Sequence, residues 1–517
     1  MASTITIAFG ILATTYCFFH FLLYATQDPR EPRAILTTVP FLQPLVRMIK
    51  EKSGLHLRLY LDSQKYGLPI YTLRMPFQRV YVVNDTSLIP VLQKHWRTIS
   101  FAAITANSGA VCGMSKHSAR VMNHELTNEE GFSVSWPRYI APSLAPGNDL
   151  DAIDKKSVEI FAAELAKQRA KGPATTGLVE WSKHLMITST TEAVYGPSNP
   201  YKDVAVAEAW KILESGFLTF SIFPAAMPFF PKFYRAREIA TAAMIKYMQQ
   251  GGYEHASGLV RKRFEHHRSW GLSIDDVGRG EVGNTFAVLG NSTPCAFWLL
   301  YHIFSDEKVL GDVRRELSGL VRDQDEVALV SSIDLADIRS SCPVLLSTFQ
   351  EVLRYRSVGV GPRSIIEDVF LEDQQIFLKK GSVLLIPSSV QHNNIKAWGD
   401  DAGEFRHTRF LPHQGSEKHN RAAFRAFGGG QTLCPGRHFA STEIMMLAAV
   451  FVLQFDIVPV GGRWVEAATS RSPSGASFPI PDEDINVHLR PRDLTKKWHI
   501  SFSGSGEAIK IAMEDLS

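Results

Sequence analysis

Long runs of apolar residues in three places dominate the hydrophobic pattern of this chain. Residues 5–25 contain no Asp, Glu, Lys or Arg, and about 21 residues of helix are enough to cross the roughly 30 Å apolar core of a bilayer. Residues 283–300 are apolar around almost the whole circumference of a helix, which is typical of a helix buried in a protein. Residues 435–450 form a further long apolar stretch. The pattern therefore predicts an N-terminal membrane helix, a central buried helix and a third apolar helix near residue 440.

Between these runs, the pattern predicts many helices and a few short strands. Residues 70–73 and 79–83 lie on either side of a proline-containing turn and predict a β-hairpin. Residues 88–304 are mostly helical in pattern, whereas three short strands are expected within residues 369–386. The chain is therefore predicted to be mainly α with small β-sheets, an α+β fold.

Length and composition fit one large folded unit behind a short N-terminal extension. The chain has 517 residues, of which 45% are hydrophobic, and this is enough to bury a large core. After the first fifty residues, no internal repeat or low-complexity run divides it. We predict an anchor helix (1–27), a proline-containing linker (28–50) and a single folded domain (51–517).

Charge and cysteine content argue against a nucleic-acid partner and against a disulfide framework or a zinc site. The formal net charge is only +3, so nucleic acid is not an expected partner. The five cysteines contain no Cys-x-x-Cys pair: Cys17, Cys112, Cys295, Cys342 and Cys434. Such an odd, sparse set argues for a reducing compartment and against a disulfide framework or a zinc site.

The apolar residues 5–25 are interpreted either as an uncleaved anchor or as a cleaved signal peptide. No basic segment precedes them and no small-residue cleavage site is obvious, whereas Arg30 and Arg33 follow directly. Basic residues flank the cytosolic side of a membrane helix. We favour the anchor, which places the downstream chain in the cytosol.

A glycine-rich loop ahead of the third apolar helix carries the most informative cysteine. Gly428, Gly429 and Gly430 allow positive φ angles and a close approach of the backbone to a flat partner. Cys434 follows at the end of the loop, and Pro435 suits the first position of a helix. A helix N-terminus favours the thiolate form of a cysteine, and a thiolate that faces a planar cofactor is a haem ligand. The alternative is a free buried cysteine after a glycine-rich turn.

The residues of this loop resemble the haem loop of the cytochrome P450 family. That loop runs Phe, two residues including Gly, Gly, three residues, Cys, any residue, Gly, and the chain matches it at Phe427, Gly428, Gly430, Cys434 and Gly436. The resemblance implies the cytochrome P450 fold, haem b as cofactor and Cys434 as the axial thiolate ligand.

The loop departs from the family at Thr432, where most members carry a basic residue that meets a haem propionate. Arg437 is a candidate to supply the missing charge. By resemblance Arg363 faces a propionate, and Arg120 is a further candidate for this role. For Arg120 and Arg363, an exposed surface arginine is the alternative.

The central helix at residues 283–300 resembles the family's helix on the oxygen-binding side of the haem. Pro294 donates no hydrogen bond and pushes away a carbonyl of the preceding turn, so the helix is expected to kink or open there. The family's usual acid-then-threonine pair is replaced by Asn291 followed by Ser292, or by Ser292 followed by Thr293. These are the candidate catalytic residues. The alternative is that they only satisfy the broken helix.

This departure leaves the reaction type open. Cholesterol 7α-hydroxylase and prostacyclin synthase resemble the chain here, with Asn in this place and Pro nearby. The first hydroxylates and the second isomerises a peroxide. An amide does not relay protons as a carboxylate does, although a hydroxyl and ordered water do.

Three charged residues match the family's structural cluster. Glu351 and Arg354 lie three residues apart on one face of a predicted helix, where they can pair. Arg409 matches the family's second arginine. Together they are predicted to form a buried, multiply hydrogen-bonded cluster that fixes the haem loop.

The resemblance also assigns a substrate pocket and a docking surface. Val358, Gly359 and Val360 are expected to line the pocket, and Phe478 belongs to a terminal loop that enters it. A basic patch around the haem loop is interpreted either as a docking surface for an acidic reductase or as a solvated charged face: Lys418, Arg421, Arg425 and Arg437.

The resemblance implies a single-pass haem-thiolate monooxygenase of the endoplasmic reticulum membrane, with residues 51–517 as its catalytic domain. Electrons are expected from NADPH through a separate NADPH-cytochrome P450 reductase, because the chain has no P-loop and no strand-led Gly-x-Gly-x-x-Gly. Cytochrome b5 is a further candidate partner, and a monomer is expected. The expected substrate is a lipophilic terpenoid, sterol or polyketide of secondary metabolism. The rival functions are a peroxide isomerase or dehydratase that needs no reductase, and a non-enzymatic haem sensor.

Overall fold

A computed structural model of the chain describes residues 2–35, 37–44, 46, 54–222, 224–325, 330–371, 375–412, 420–472, 476–504, 509–512 and 515. The α-helices are numbered here in chain order: α1 (Ala2–Thr26), α2 (Gly54–Tyr66), α3 (Leu88–Lys94), α4 (Ala102–Ala106), α5 (Lys116–Met122), α6 (Phe132–Ile140), α7 (Asn148–Lys171), α8 (Leu178–Tyr195), α9 (Val204–Ile222), α10 (Pro231–Gln249), α11 (Gly258–Ser269), α12 (Ile274–Leu289), α13 (Ser292–Phe304), α14 (Glu307–Ser318), α15 (Ile338–Ser341), α16 (Pro343–Arg356), α17 (Ser388–Gln391), α18 (Ile395–Trp398) and α19 (Arg437–Gln454).

The strands are short: β1 (Ile70–Met75), β2 (Gln78–Val83), β3 (Ile99–Ser100), β4 (Ala174–Gly177), β5 (Arg322–Asp325), β6 (Val330–Asp334), β7 (Pro362–Ile365), β8 (Val369–Leu371), β9 (Ile376–Leu378), β10 (Val383–Leu385), β11 (Phe455–Pro459), β12 (Asn486–Pro491) and β13 (Lys497–Ser501). In the described part of the chain they form four sheets, with orders β1-β2-β10-β7-β3, β11-β12-β4, β13-β6-β5 and β8-β9. The fold is mainly α with small β-sheets, as the sequence predicted.

The predicted hairpin at residues 70–83 is confirmed and begins the first of these sheets. β1 and β2 pair antiparallel with Tyr71 opposite Val82, and both side chains are fully buried. β10 pairs parallel to β2, and β7 pairs antiparallel to β10 with Arg363 opposite Leu384. The sheet thereby fixes the strand that carries Arg363.

The main core lies where α8, α13, α16 and α19 pack together. Each helix contributes large apolar side chains with almost no exposed surface: Met186, Trp298, Phe349 and Phe451. The residues of α19 from Phe439 onward are buried, apart from Ala440. The third apolar helix of the sequence is thus confirmed as a buried helix that begins at Arg437.

The predicted interruption of the central helix is also confirmed. α12 ends at Leu289 and α13 begins at Ser292. Pro294 lies in the first turn of α13, where a missing N–H costs no helical hydrogen bond. The Cys295 N–H donates to the carbonyl of Asn291 (3.2 Å) and restarts the helical ladder. The interruption leaves two polar residues, Asn291 and Ser292, at the junction.

The predicted anchor, residues 5–25, falls within α1. Across the residues that the structure describes, no helix combines the length and the apolarity needed to cross a membrane. The anchor, and with it the division of the chain at residues 27 and 50, stays a prediction.

A buried carboxylate on α19 ties three helices of the core together. Glu443 is 2% exposed and accepts hydrogen bonds from Thr190 Oγ1 on α8 (2.8 and 2.9 Å) and from Ser157 Oγ on α7. Burial raises the pKa of Glu443 to about 7, although these hydrogen bonds act in the opposite direction. The folded protein therefore keeps this proton to a higher pH than the unfolded chain does, and the carboxyl group destabilises the fold as the pH rises.

Replacement of Glu443 by Gln should flatten the pH dependence of stability. In the wild type, the free energy of unfolding should fall by on the order of 2–3 kcal/mol between about pH 4.5 and pH 7, because burial opposes ionisation. Glu443→Gln keeps hydrogen-bonding groups at the site but does not ionise. Urea-unfolding midpoints should therefore be similar for the two proteins at pH 5 and higher for the variant at pH 8. Glu159→Gln, at an exposed carboxylate of α7, is the matched control. An equal difference between Glu443→Gln and wild type at both pH values would contradict this account.

Candidate functional site

A cavity of about 630 Å³ lies at the interruption of the central helix. Its wall is formed by α6, α11, α12, α13 and α19, by the loop of residues 425–436 and by segments near residues 360 and 478. Large aromatic side chains cover much of it: Phe101, Trp136, Phe217, Phe286, Phe349, Phe427, Phe439 and Phe478. The cavity is thus a mainly apolar space into which a small number of polar groups project.

Cys434 lies on the wall of this cavity, at the end of the glycine-rich loop. Its N–H donates to the carbonyl of Phe427 (2.9 Å), which closes the loop. Burial raises the pKa of the Cys434 thiol, while the Gly436 N–H and the charge of Arg437 act in the opposite direction. Its position ahead of α19 is therefore not enough to make a thiolate. A metal ion bound to the sulfur would supply the missing positive charge.

The backbone of the loop depends on two of its three consecutive glycines. Gly428 and Gly430 have φ angles of +80° and +56°, whereas Gly429 is extended. A Cβ atom at Gly428 would lie 2.6 Å from the carbonyl oxygen of Thr432. The loop therefore presents bare backbone beside Cys434, which suits the face of a planar group.

The cavity carries positive charge near this loop. Arg363 and Arg425 line it and are only 8% and 7% exposed. Among the described residues of the wall there is no Asp or Glu. Burial lowers the pKa of Arg363 to about 9, and the charge of Arg425 contributes in the same direction. Near the loop, two buried guanidinium groups with no carboxylate on the described wall fit a cofactor with two negative charges, such as the propionates of haem b.

Thr432 positions one of these arginines. Arg363 Nη2 donates to Thr432 Oγ1 (2.6 Å), and Nη1 donates to the carbonyl of Pro362 (2.8 Å). The residue at which the loop departs from the family pattern thus holds a neighbouring cation toward the cavity instead of providing one.

Two arginines that the sequence offers as candidates for the propionates lie elsewhere, and for Arg120 the structure matches the alternative of an exposed surface arginine. Arg437 is not among the described residues of the cavity wall. Its Nη2 and Nε donate to Asp515 Oδ1 (2.8 and 3.1 Å). Arg120 is exposed on α5 and its Nε donates to the carbonyl of Lys116 (3.3 Å) within the same helix. The structure therefore does not bring Arg120 or Arg437 to the cavity.

Arg425 also lies in a different place from the one that the sequence predicts. The sequence places it in an exposed basic patch, whereas it is buried on the cavity wall. Its N–H donates to Nε2 of the fully buried His392 (2.8 Å). The local signal was available, because the residue lies between Phe424 and Phe427 in an otherwise apolar stretch.

The other residues of the expected basic patch do not form one exposed surface in the described chain either. Arg437 is paired with Asp515, and Lys418 lies outside the described residues. Arg421 is exposed. Within the described chain, Arg421 is therefore the member of the predicted patch that remains exposed away from the cavity wall and from Asp515.

Asn291 and Ser292 line the cavity, whereas Thr293 is not among the described residues of its wall. Ser292 Oγ donates its proton to the carbonyl of Val288 (2.6 Å). Thr293 is buried, and its Oγ1 has no hydrogen-bond partner among the described residues. Of the two alignments that the sequence left open, Asn291 followed by Ser292 is the one that borders the cavity.

The expected substrate pocket is partly reproduced on the wall. Gly359, Val360 and Phe478 line the cavity. Val358 is not among the described wall residues; its N–H donates to the carbonyl of Ser477 (2.7 Å). Val358 therefore holds the terminal loop next to the cavity.

Glu351, Arg354 and Arg409 lie together, with fully buried side chains. Arg354 Nη2 and Nε donate to the two carboxylate oxygens of Glu351 (2.7 Å each), and Arg409 Nε donates to the same carboxylate (3.1 Å). Arg354 Nη1 also donates to the carbonyls of His392 (2.9 Å) and Ala402 (2.7 Å). The cluster thus connects α16 to the segment from His392 onward, which leads to the haem-type loop.

Comparison with known proteins decides the family. Residues 34–481 match the family described as Cytochrome P450. The chain belongs to the cytochrome P450 family. It is 31% identical over 508 residues to cytochrome P450 monooxygenase nodJ of Hypoxylon pulicicidum, covering 94% of this chain and 96% of that protein. It is 25% identical over 247 residues to prostacyclin synthase of Rattus norvegicus, covering 46% and 49% of the two chains. The crystal structure of the cytochrome P450DA heme domain aligns with 87% of this chain and 96% of its own, with a TM-score of 0.68 at 13% identity. This last likeness shows a shared fold.

Membership of the cytochrome P450 monooxygenase family makes the chain an enzyme and implies a haem with a thiolate ligand to its iron. The residues present fit that cofactor. Cys434 would bind the iron, the bare backbone of the Gly428 loop would face the ring, and Arg363 and Arg425 would meet the propionates.

The shape of this cytochrome P450's haem loop can be tested at Gly428. We expect Gly428→Ala to bind much less haem per polypeptide, because its Cβ atom would collide with the Thr432 carbonyl. The control is Gly381→Ala, which has nearly the same φ angle (+78°) but nothing within 4 Å of the added atom. The control should lose only about 1–2 kcal/mol of stability from backbone strain and keep its haem. Equal haem content in the two purified variants would show that the contact with Thr432 is unimportant.

Proposed function

We propose that this cytochrome P450 is a monooxygenase that hydroxylates or otherwise oxidises a lipophilic terpenoid, sterol or polyketide in secondary metabolism, with O2 and with electrons that NADPH-cytochrome P450 reductase delivers. The observation that carries the proposal is the cavity that has Cys434 on its wall together with the Asn291–Ser292 junction. Its aromatic lining supports an apolar substrate, because such surfaces gain free energy when they are covered by apolar groups.

A thiolate-ligated haem, when bound, supplies O2 activation and oxidation of an unactivated carbon. The protein's share is to bind, orient and exclude water. Cys434 would bind the cofactor, and aromatic side chains such as Phe286 and Phe478 give the cavity its apolar wall.

The polar groups at the helix junction differ in what they can do with a proton. Ser292 directs its hydroxyl proton to the carbonyl of Val288, so in this arrangement it offers only lone pairs to the cavity. The Asn291 amide both donates and accepts. Asn291 is therefore the side chain best suited to hold an ordered water or an oxygen atom at the junction.

The proposal includes attachment to the endoplasmic reticulum membrane through residues 1–27, with the catalytic domain in the cytosol. It is supported by large apolar side chains that α1 exposes, Ile7, Ile11, Phe18 and Phe21, and by Arg30 and Arg33 directly after this helix. Cytochrome b5 is a further proposed electron donor, and we propose a monomer.

The thiolate ligand is tested by Cys434→Ala. The reduced wild-type protein under carbon monoxide should show a red-shifted Soret band, and the variant should lose it because no thiolate faces the iron. Cys112→Ala is the matched control: Cys112 also lines the cavity, but burial raises its pKa to about 12. A shifted band that persists in Cys434→Ala would overturn the proposed chemistry.

A second candidate function is isomerisation or dehydration of a peroxide without a reductase. One observation favours it: an amide, Asn291, borders the cavity where most of the family has a carboxylate. Prostacyclin synthase, a partial relative, resembles the chain at this residue. The two functions differ in their need for electrons.

Turnover measured with and without NADPH and the reductase separates the two functions. We expect products from a panel of terpenoids, sterols and polyketides only when NADPH and the reductase are both present, as followed by mass spectrometry. A fatty-acid hydroperoxide added without NADPH should give no rearranged product beyond that formed by free haem. Rapid conversion of the hydroperoxide alone, together with no NADPH-dependent product, would favour the isomerase.

A further inference from the structure

One face of α11 and one face of α12 form the side of the cavity that extends away from the helix junction. Leu259, Arg263 and His267 on α11 are spaced four residues apart and all line the cavity. On α12, the lining residues include Gly280 and Asn284, again one turn apart. Gly280 lies nine positions before the end of α12 at Leu289, which corresponds to roughly 14 Å of helix.

His267 is a buried polar group on this side of the cavity with one nitrogen available. It is 5% exposed, and its Nδ1 lies 2.7 Å from the carbonyl oxygen of Arg263. Since a carbonyl only accepts, Nδ1 carries the proton and Nε2 presents a lone pair. Among the described residues, the hydrogen bond of this ring is made by Nδ1 and not by Nε2.

Gly280 leaves the space beside this nitrogen open. A Cβ atom at Gly280 would lie 3.3 Å from His267 Nε2, and the next nearest group is the Met114 side chain at 3.7 Å. Both residues line the cavity. A group in the cavity can therefore approach the lone pair of Nε2 past Gly280, which has no side chain.

The ring is held rigidly and is neutral. Trp136 and Phe132 contact it edge-on, with ring centroids 4.8 and 5.3 Å away. Burial lowers the pKa of His267 to about 4, so the ring accepts a hydrogen bond and does not act as a cation at neutral pH.

The polar network next to His267 fixes the residue that orients it. Arg263 Nη1 donates to Glu281 Oε2 (3.3 Å), and Asn284 Nδ2 donates to Glu281 Oε1 (2.9 Å). Glu281 is fully buried. These contacts tie α11 to α12 and leave the Nε2 atom of His267 as an acceptor that no neighbour uses.

The adjacent histidine shows what a purely structural role looks like. His266 is also buried, but its Nε2 lies 3.1 Å from Ser135 Oγ. It is not among the described residues of the cavity wall. The Nδ1 atom of His266 is buried and has no hydrogen-bond partner in the described chain, but this histidine lies off the cavity wall. His267 differs because the residue that carries the unused nitrogen lines the cavity.

We propose that His267 Nε2 accepts a hydrogen bond from a hydroxyl or N–H group of the substrate, at a point roughly 14 Å along α12 from its end at Leu289. This inference rests on the proposed monooxygenase function. It specifies the substrate class as a long, otherwise apolar molecule with a hydrogen-bond donor at the end remote from the helix junction. The contact would fix which carbon lies next to the cofactor.

The test uses terpenoid and sterol alcohols, each paired with its O-methyl ether, which keeps the oxygen but removes the donor. Dissociation constants are measured on the full-length haem-loaded protein from substrate-induced shifts of the Soret band. The wild type should bind at least one alcohol roughly 2- to 10-fold more tightly than its ether, the range expected for one neutral hydrogen bond. His267→Leu should bind both members of the pair equally, and His267→Gln, which keeps an acceptor, should restore part of the preference.

Two further variants separate this role from a structural one. Gly280→Ala places a methyl group beside Nε2 without changing His267, and it should abolish the preference for the alcohol in a protein that folds normally, since Ala suits a helix interior. His266→Leu, on the same helix, should keep the preference.

Different results would contradict the role of His267 and the proposed function. A wild type with no preference for any alcohol over its ether, or a His267→Leu variant that keeps the preference, would overturn the inference while leaving the proposed function intact. A loss of haem in His267→Leu together with normal discrimination in Gly280→Ala would also overturn it, because the histidine would then support the cofactor site. Absence of the red-shifted carbon monoxide band in the wild type would instead contradict the proposed function itself.

Discussion

A single sulfur atom must be held against a large apolar cavity, and the rest of the structure is built around this constraint. The loop that carries Cys434 reaches the cavity with bare backbone, and its path requires a positive φ angle at Gly428 next to the Thr432 carbonyl. Near the loop, the arginines of the buried Glu351–Arg354–Arg409 cluster donate hydrogen bonds to several backbone carbonyls, including that of His392. The His392 ring in turn accepts a hydrogen bond from the backbone N–H of Arg425, at the start of the loop. Removing any one member of the cluster would leave buried charge uncompensated.

Burial also explains why the site suits a charged cofactor. Burial raises the pKa of the Cys434 thiol and lowers that of Arg363, so the charged form of each group is costly in these surroundings. A cofactor that brings a cation to the sulfur and anions to the arginines would relieve both costs at once. Charged Cys434 and Arg363 are therefore unfavourable alone and favourable beside haem. This complementarity supports haem as the cofactor more strongly than the haem-loop sequence pattern does by itself.

Two polar residues of the remaining cavity reach it through a break in regular structure or beside a missing side chain. Asn291 reaches the cavity because α12 and α13 are separate helices. His267 reaches it because Gly280 has no side chain. In an apolar space an unpaired acceptor is costly, so a substrate group that pairs with it gains both affinity and orientation. The aromatic wall selects lipophilic molecules, and these two polar groups would decide how such a molecule lies.

Features that depend on local properties of the chain could be predicted from the amino-acid sequence. These are the mainly helical fold with small sheets, the hairpin at residues 70–83, the interruption ahead of Pro294, and the glycine-rich loop before Cys434. Glycine and proline restrict φ and hydrogen bonding wherever they occur, and apolar periodicity reflects burial directly. The surroundings of three other arginines depended on tertiary structure. Arg425 is buried on the cavity wall, Arg437 pairs with Asp515 at the far end of the chain, and Arg120 stays in solvent. His267 likewise acquires its open nitrogen only where α11 meets α12. Charge pairing depends on distance in space, and residues that are remote in sequence set that distance.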